Sequence, residues 1–494
     1  MMFLLVLLII LPLLIIFFHK HKTHNPPGPK GLPIIGNLHQ LDICNLHLQF
    51  SQFSKIYGPL FSLKLGFRKA IVVSSAEIAK QVLKNNDLIF CNRPIFYGQR
   101  KLSYNGSEIG FSQYGEFWRE IRKICVVHIL GSKRVSYYSS IRKFEVKKMI
   151  QKISGHATCS SVTNLSELLT SLSTTTICRI AFGKNYENQG NERSRFHGLF
   201  YELHALLKEF FVSDYIPFMG WIDKLRGLHG RVDTLFKEFD KFYQEIIDEH
   251  LDPNRQQIAE EEDIVDVLLQ LKKNHSFPFH FTFDHIKAVL VDMLIAATDT
   301  TSATSVWAMT TLIKNPRVMK KVQEEIRNNM GVKKDFLEED DIQNFPYLKA
   351  VIKEVLRLHL PAPLLVPRES REKCIISGYD IPPKTIVYVN AWAIQRDHNF
   401  WKNSEEFYPE RFLESSINFT GQDFELIPFG AGRRICPGIS MGVASLELTL
   451  ANLLYSFDWT LPHGLVKEDI DTEVLPGISQ HKKNPLCLVA NIHI

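Results

Sequence analysis

The sequence predicts a mainly helical protein with small β-sheets, folded as one large domain. Its longest helical segment runs from Thr282 to Asn315 without a proline and stops at Pro316, where a helix should end. No Gly/Ser-rich or proline-rich linker divides the interior, and no internal repeat is present, so a single domain accounts for the chain. Two further helices and a β-hairpin are predicted at Tyr347–Leu360, Ser440–Phe457 and Cys374–Asn390.

Composition excludes several classes of protein. The 494 residues are 45% hydrophobic and 11% aromatic, which is typical of a globular chain rather than a disordered one. A net charge of +5 without a basic stripe gives no reason to expect nucleic-acid binding. The cysteines are scattered and form no Cys-x-x-Cys pair, which argues against a zinc cluster, an iron–sulfur site or a disulfide-rich scaffold. They are Cys44, Cys91, Cys125, Cys159, Cys178, Cys374, Cys436 and Cys487.

The N-terminus predicts a membrane anchor. Residues 1–18 carry no charge, and His19-Lys20-His21-Lys22 follows at once. About 20 apolar residues cross a bilayer, so this run is just long enough for a transmembrane signal anchor. Because basic residues tend to stay cytosolic, the rest of the chain is expected in the cytoplasm. A cleaved signal peptide is the alternative, but the charge lies on the wrong side of the apolar run and the small-residue cleavage pattern is missing.

Residues 19–36 form a basic and proline-rich hinge behind this anchor. The stretch contains Asn25-Pro26-Pro27-Gly28-Pro29 and Pro33. Proline fixes φ, so the segment is expected to act as a semi-rigid spacer between the membrane and the domain at 37–494.

The segment from Phe429 to Gly438 carries the strongest chemical signal. It reads Phe-Gly-Ala-Gly-Arg-Arg-Ile-Cys-Pro-Gly. Glycines allow a close approach of backbone to a flat ligand, arginines can bind carboxylates, and Cys436 can supply a thiolate. Haem requires these three properties: room, partners for its propionates and an axial ligand. Read alone, Cys436 would be an ordinary buried thiol, because free cysteine is among the most buried residue types.

Small and hydroxylated residues interrupt the longest predicted helix at Ala296-Ala297-Thr298-Asp299-Thr300-Thr301. Threonine hydroxyls in a helix can bond back to a carbonyl one turn earlier and bend the axis. Asp299 and Thr300 also form an acid–alcohol pair, and reductive activation of O₂ consumes protons that such a pair can deliver. The residues alone leave two interpretations open, a bent core helix or a site of oxygen chemistry.

Two polar pairs share a helical face. Glu354 and Arg357 are three residues apart, and Trp118 and Arg122 are four apart. In isolation Glu354 and Arg357 would be a solvated surface pair worth roughly 0–1 kcal/mol, and Arg122 would be a surface arginine. Arg368 belongs to neither pair. Its planar guanidinium group can bind a carboxylate through two hydrogen bonds.

Together these segments resemble the cytochrome P450 family. The cysteine segment fills the family's Phe-x-x-Gly-x-Arg-x-Cys-x-Gly pattern with Phe429, Gly432, Arg434, Cys436 and Gly438. The interrupted helix resembles the oxygen-binding motif Ala/Gly-Gly-x-Asp/Glu-Thr, except that an alanine, at position 297, occupies the glycine position. Its extra methyl narrows the groove but leaves the acid and the alcohol in place.

Other matches follow in the family's order. Glu354 and Arg357 match Glu-x-x-Arg, residues 409–412 match Pro-Glu-Arg-Phe, and Trp118 with Arg122 match Trp-x-x-x-Arg. The sequence of residues 361–368 and 428–438 is similar to that of plant microsomal A-type P450s of specialised metabolism.

The resemblance implies the P450 fold, with a single haem-thiolate domain at 37–494 behind the anchor. It implies haem b with Cys436 as the axial iron ligand, and Asp299 and Thr300 as catalytic residues. Further haem contacts are expected from Trp118, Arg122, Arg368, Phe429, Arg434 and Gly438. A buried structural network is expected from Glu354, Arg357 and Arg411, and pocket walls from Ala296, Ala362, Leu364, Leu365 and Ile478.

The implied activity is a monooxygenase that inserts one atom of O₂ into a small lipophilic molecule. No complete dinucleotide or Walker-type loop is present, so electrons would come from NADPH through NADPH–cytochrome P450 reductase. Arg119, Lys123 and Arg433 are candidates for the docking face. By resemblance the protein would be a single-pass protein of the endoplasmic reticulum membrane, in contact with lipid, with its catalytic domain in the cytoplasm.

Two other classes stay open. A haem-thiolate isomerase or dehydratase would use the same cysteine without external electrons, although such members usually lose the hydroxyl that Thr300 provides. A haem-binding membrane protein without turnover would not need the Asp299–Thr300 pair. The apolar pocket candidates favour a lipophilic ligand but do not identify it.

Overall fold

A computed structural model describes residues 24–186, 190–255, 262–274, 277–329, 334–475, 477 and 479–493. The predicted anchor at 1–18, the start of the hinge at 19–23 and the pocket candidate Ile478 lie outside these residues. Within the described ranges, no helix combines the length and the apolar character that crossing a bilayer requires.

Helices dominate the described chain, as the sequence predicts. In chain order the α-helices are α1 Leu46–Tyr57, α2 Ala76–Lys80, α3 Tyr97–Leu102, α4 Glu116–Ile124, α5 Ser132–Tyr137, α6 Ser139–Thr158, α7 Leu165–Phe182, α8 Gly190–Leu207, α9 Trp221–Leu225, α10 Leu228–Leu251, α11 Ile264–Lys273, α12 Phe283–Lys314, α13 Pro316–Asn328, α14 Glu339–Ile342, α15 Pro346–Leu358, α16 Ala391–Ile394 and α17 Ile439–Ser456.

The long helix α12 begins and ends where local chemistry predicts. The Thr282 side chain accepts a hydrogen bond from the backbone N–H of His285, which satisfies one of the unpaired donors of the first turn. Asn315 ends α12, and Pro316 is the first residue of α13, a position where its missing N–H costs nothing. α12 packs against α7 and α17 and passes through the two largest apolar clusters, so it forms the central axis of the domain.

Three small sheets flank the helices. Their strands are β1 Leu60–Leu65, β2 Arg68–Val73, β3 Val162–Asn164, β4 Arg368–Glu369, β5 Cys374–Ile376, β6 Tyr379–Ile381, β7 Ile386–Val389, β8 Phe457–Thr460 and β9 Cys487–Ile492. The strand orders are β1-β2-β7-β4, β3-β9-β8 and β5-β6.

The predicted hairpin at 374–390 is correct only in its first half. β5 and β6 pair antiparallel around Ser377 and Gly378, which both have positive φ. Residues 386–389 instead form β7, which pairs parallel with β2 and antiparallel with β4. Pro382 and Pro383 separate the two halves, and because proline lacks an N–H the hairpin ladder cannot continue through them.

The described part of the proline-rich segment lies along the edge of the four-stranded sheet. The backbone N–H of Ser62 donates to the Pro27 carbonyl at 2.7 Å, and its hydroxyl donates to the Pro26 carbonyl at 2.7 Å. Asn37 adds a side-chain hydrogen bond to the Pro29 carbonyl at 3.1 Å. These bonds fix the direction in which the chain approaches the domain from its N-terminal end.

Candidate active site

Cys436 lies in a loop that is closed by a backbone hydrogen bond. Its N–H donates to the Phe429 carbonyl at 3.0 Å, and Gly430 and Gly432 both adopt left-handed φ of about 70°. A Cβ at Gly432 would lie 2.0 Å from the Leu83 carbonyl oxygen, so no larger residue fits there. The loop then runs directly into α17.

A largely apolar cavity separates this loop from α12. The space within it and at its solvent-open mouth amounts to about 1260 Å³. Cys436 and Phe429 lie on one wall, and Ala296 and Thr300 lie on the other. The Thr300 hydroxyl donates to the Ala296 carbonyl one turn earlier, at 2.7 Å, as helical threonine chemistry predicts. The Cys436 thiol and the Thr300 hydroxyl therefore lie on opposite sides of the same cavity.

Four arginines line one end of the cavity: Arg93, Arg122, Arg368 and Arg434. Arg434 donates to three backbone carbonyls, of Cys91, Ile109 and Ser112, and burial lowers its pKa to about 10.

Backbone carbonyls also hold the other arginines of this group. Arg93 donates to the carbonyls of Gly110, Val366 and Pro367. Arg122 donates to the carbonyl of Ile435 at 2.6 Å. Arg368 donates to the Ala431 carbonyl and also contacts the carboxylate of Asp87 at 3.1 Å. The carboxylates of Asp87 and Glu108 offset only part of the charge of these four guanidinium groups, so the remaining field attracts anionic groups into the cavity.

The arrangement fits a thiolate-ligated haem. Burial raises the pKa of the Cys436 thiol, while the N–H of Gly438 and the charge of Arg122 act in the opposite direction. A bound metal ion supplies the positive charge that a buried thiolate needs. The arginines can hold two propionates, and a Cβ added at Gly438 would lie 3.8 Å from the sulfur, so glycine keeps this side of the thiol open.

Trp118 positions two of the arginines. Its indole N–H donates to the Ile109 carbonyl at 3.0 Å, so this donor is used within the protein. The Arg434 and Arg122 guanidinium groups lie over its rings at 4.1 and 5.5 Å. The sequence placed Trp118 among the haem contacts, and in the structure it is the buried platform beneath Arg122 and Arg434.

A buried pair of acids holds the backbone segment whose carbonyls accept hydrogen bonds from Arg93 and Arg434. Asp292, on α12, accepts from the Ile109 N–H at 2.7 Å, and Glu108 accepts from the Phe111 N–H at 2.6 Å. Burial, followed by the neighbouring Glu108, raises the pKa of Asp292 well above its ordinary value. Residues 108–111 are thereby attached to α12, with the Ile109 carbonyl aimed at Arg434.

Asp299 does not lie on the cavity wall beside Thr300. Its Oδ1 contacts Nε2 of His481 at 2.6 Å and Nε2 of His204 at 3.1 Å. Burial opposes the charge on Asp299, but these hydrogen bonds outweigh it and hold its pKa well below the usual range. Consecutive helical residues point about 100° apart, so Thr300 can face the cavity while Asp299 faces the two histidines.

Glu354, Arg357 and Arg411 meet behind the cysteine loop. Arg357 donates to both Glu354 oxygens at 2.7 and 2.9 Å, and both side chains are fully buried. Arg411 donates to the same carboxylate at 3.1 Å from a 3₁₀ turn at Pro409–Phe412. Sequence motifs did not indicate Gln395, which links this network to the loop: it donates to the Arg357 carbonyl and accepts from the Ile427 N–H.

Among the pocket candidates within the described residues, Ala296, Ala362 and Leu365 line the cavity. Leu364 packs instead against the apolar cluster of the four-stranded sheet. Leu365 has φ +52°, and this turn of the chain sends the two neighbouring leucines to different sides.

Sequence reasoning missed several residues of this site besides Gln395. Arg93, His204, His481 and Asp292 each stand outside a recognisable motif. Arg93 is a single arginine held by carbonyls, which any residue type can provide. The partners of Asp299 lie 95 and 182 residues away, so no local spacing indicates them.

Comparison with known proteins defines the family. The family model "Cytochrome P450" matches residues 26–489. Cytochrome P450 71A1 of Persea americana is 49% identical over 463 residues, 93% of this chain and 92% of that protein. The 5-OH-xanthotoxin synthase of Pastinaca sativa is 48% identical over 96% of this chain and 94% of its own length. The strychnine-11-hydroxylase of Strychnos nux-vomica is 46% identical over 94% and 91%.

Solved structures agree on the fold. A zebrafish cytochrome P450 solved with abiraterone has a TM-score of 0.77 and 24% identity, and covers 91% of this chain and 99% of its own. The cavity between a cysteine loop and a long helix defines a haem-thiolate oxygenase of the P450 fold. This chain belongs to the cytochrome P450 family, in the plant A-type group, and is a P450 monooxygenase.

Proposed function

We propose that this enzyme oxygenates a small lipophilic molecule of plant specialised metabolism, using electrons from NADPH delivered by NADPH–cytochrome P450 reductase. The observation that carries the proposal is the cavity with Cys436 on one wall and Ala296 and Thr300 on the other. Its remaining walls are largely apolar, which favours a lipophilic substrate. Relatives named 5-OH-xanthotoxin synthase and strychnine-11-hydroxylase support a polycyclic aromatic or alkaloid substrate.

Each residue of the cavity has a defined task in this proposal. Bound haem supplies the oxidising chemistry. Cys436 holds the iron, and Arg93, Arg122, Arg368 and Arg434 hold the propionates. Thr300 places its hydroxyl on the cavity wall, where it would exchange its hydrogen bond to the Ala296 carbonyl for donation into the space where O₂ is reduced. Ala296 and Leu365 shape the volume left for the substrate. The glycine position of the oxygen motif carries Ala297, whose methyl packs against the neighbouring apolar cluster.

The membrane setting is part of the proposal. Residues 1–18 would anchor the protein in the endoplasmic reticulum membrane, with the catalytic domain from residue 37 in the cytoplasm. The hydrogen bonds from Ser62 and Asn37 to the proline-rich segment support a fixed orientation of the domain behind that anchor. Removing residues 1–22 should shift the folded haem protein from membranes to the soluble fraction, and its retention on membranes would contradict the anchor.

The reductase would approach the face of α4. Arg119 and Lys123 are exposed there, beside the buried Trp118 and the half-buried Arg122. Cationic side chains speed the encounter with an acidic partner. The double variant Arg119→Glu, Lys123→Glu should slow reductase-supported turnover and leave peroxide-supported turnover nearly intact. Equal loss in both assays would contradict docking at this face.

The deciding assay is NADPH consumption with reductase, in the presence and absence of O₂. Candidate substrates are first found as metabolites that shift the haem absorption spectrum. We expect oxygen-dependent consumption of NADPH and a product heavier by one oxygen atom. Product formation without NADPH would identify an isomerase or dehydratase, and binding without any turnover would identify a non-catalytic haem protein.

A further inference from the structure

One carboxylate oxygen joins three distant parts of the chain beside the cavity. Oδ1 of Asp299, on α12, contacts His204 of α8 and His481 of the segment that precedes β9. All three side chains are largely buried, with exposures of 15, 22 and 29% for Asp299, His204 and His481. Asp299 is adjacent in sequence to Thr300, which lines the cavity.

The contacts of His204 determine how many protons it carries. Its Nε2 faces the Asp299 carboxylate, and its Nδ1 lies 2.8 Å from the Phe200 backbone carbonyl. A carbonyl and a carboxylate can only accept hydrogen bonds, and a neutral imidazole has a single N–H. Both contacts are hydrogen bonds only when His204 is the doubly protonated imidazolium.

His481 has no such requirement. The described residues give its ring one polar contact, through Nε2 to Asp299. A neutral imidazole with its proton on Nε2 satisfies that contact completely. The two histidines therefore differ. His481 can donate to Asp299 whether its own ring is neutral or charged. His204 makes both of its hydrogen bonds only when its ring is the charged imidazolium.

The electrostatic environment of His204 agrees with its doubly protonated state. Burial opposes the charge on His204, but the hydrogen bond and charge of Asp299 outweigh it, so the pKa of His204 lies above 6.5. Lys208, just beyond the C-terminal end of α8, acts in the other direction. Asp299 is faced by His204 and His481, which hold its pKa well below the usual range. Asp299 is thus an anion at neutral pH, and each of the two histidines offers it an N–H donor.

We propose that His204 and His481 are positioning residues for the Asp299–Thr300 pair, and that the link from α8 to Asp299 is complete only while His204 carries both protons. The inference rests on the proposed role of that pair in supplying protons for O₂ reduction. Neither histidine belongs to a sequence motif, since both act through Asp299 from other segments.

The direction of the pH effect follows from the sign of the shift. A group whose pKa is raised by folding contributes stability that is present below its unfolded pKa of about 6.5 and is lost as pH rises through the higher folded value. Asp299, whose pKa is depressed, stays ionised throughout that range. Alkaline pH should therefore release His204 from one of its two acceptors, whereas mildly acidic pH should not.

The chain contains a matched control for this arrangement. His250 contacts the Ile246 carbonyl through Nδ1 at 2.7 Å and Asp263 through Nε2 at 2.8 Å. The histidine contacts are of the same kind, a carbonyl one turn earlier and an aspartate from another segment, here the N-cap residue of α11. His250 is on α10, and it is absent from the residues that line the cavity within the described chain.

The first test measures protonation without turnover. Deuterium uptake at the imidazole C2 position, followed by mass spectrometry over a pH series, reports the pKa of each histidine in the full-length protein. We expect the pKa of His204 to lie above 6.5 in the wild type and to fall in Asp299→Asn, with that of His250 unchanged. A wild-type pKa of His204 at or below 6.5, or one that Asp299→Asn leaves unaltered, would overturn the inference.

The second test measures product formed per NADPH consumed, from about pH 6 to about pH 9. His204→Gln retains a donor for Asp299 but cannot titrate. We expect the wild-type ratio to fall severalfold toward alkaline pH, and the ratio of His204→Gln to be nearly constant with pH. His250→Gln should follow the wild-type profile. A profile that His204→Gln leaves unchanged would overturn the inference even if Thr300→Ala shows that the proposed proton supply is correct.

Discussion

The two walls of the cavity are built in different ways. On the cysteine side, the motif arginines donate almost entirely to backbone carbonyls: Arg434 to three of them, and Arg368 to the Ala431 carbonyl besides Asp87. On the α12 side, Asp299 depends on two specific side chains, His204 and His481, from remote segments. The motif arginines on the cysteine side therefore depend mainly on backbone acceptors, whereas the α12 side requires three specific side chains at once.

This difference has consequences for substitution. A carbonyl acceptor survives any mutation of the residue that carries it, so the cysteine side is sensitive mainly to loss of its arginines and its buried network. A side-chain pair is lost when either member changes. We therefore expect variants on the cysteine side to affect folding and haem retention, and variants on the α12 side to affect how electrons are used.

The largest effect is expected from Glu354→Gln. The variant leaves Arg357 fully buried without its carboxylate partner, and such an unpaired charge costs about 3–5 kcal/mol. Chemical unfolding of the two proteins measures the loss. Glu245→Gln, which breaks the exposed pair with Arg195, should cost no more than about 1 kcal/mol. Equal costs in the two variants would show that the Glu354 network does not stabilise the loop.

A smaller loss is expected from Arg93→Gln. Three carbonyls lose their donor at the end of the cavity where the propionates would bind, at a cost of about 1–3 kcal/mol. The measurement is haem content after dilution. Arg327→Gln removes a guanidinium that also donates to backbone carbonyls, but away from the cavity, and should retain haem as the wild type does. If both variants lose haem alike, the effect belongs to folding and not to the site.

Thr300→Ala should leave folding and haem binding intact and lower the product formed per NADPH by about tenfold, because proton supply to O₂ reduction is disturbed. The lost electrons should appear as peroxide. Thr310→Ala is the matched control, since its hydroxyl also donates to a carbonyl one turn earlier on α12 but is buried away from the cavity. An unaltered ratio in Thr300→Ala would contradict its assigned role.

Ala297→Gly restores the residue that the family motif usually carries and should have the smallest effect. Glycine inside a helix costs about 1 kcal/mol relative to alanine, so the free energy of unfolding should fall by that amount. The product ratio should change little, because Thr300 keeps its position. A large rise in the ratio would show that the alanine methyl obstructs the oxygen groove.

Local chemistry explains which parts of the fold the sequence predicts. The bounds of α12 follow within a residue from Thr282 and Pro316, because a cap and a proline act on the residues beside them. The pairing of residues 386–389 with β2 was missed, since it joins segments more than three hundred residues apart.

The same limit applies to the site. The sequence predicts Cys436, Thr300 and the motif arginines because each lies in a recognisable motif with its neighbours. Arg93, His204 and His481 are not, because their roles arise from contacts that only the folded chain creates. In physical terms, backbone acceptors and distant side-chain partners leave no local pattern.

The central claim, that Cys436 ligates haem iron through its thiolate, is tested most directly by the absorption spectrum of the reduced protein with carbon monoxide. Only a thiolate ligand produces the red-shifted band that gives the family its name. We predict this band in the wild type and in Cys125→Ser, where another buried thiol is changed, and its absence in Cys436→Ser. Retention of the band in Cys436→Ser would contradict the assignment, because another residue would then be the ligand.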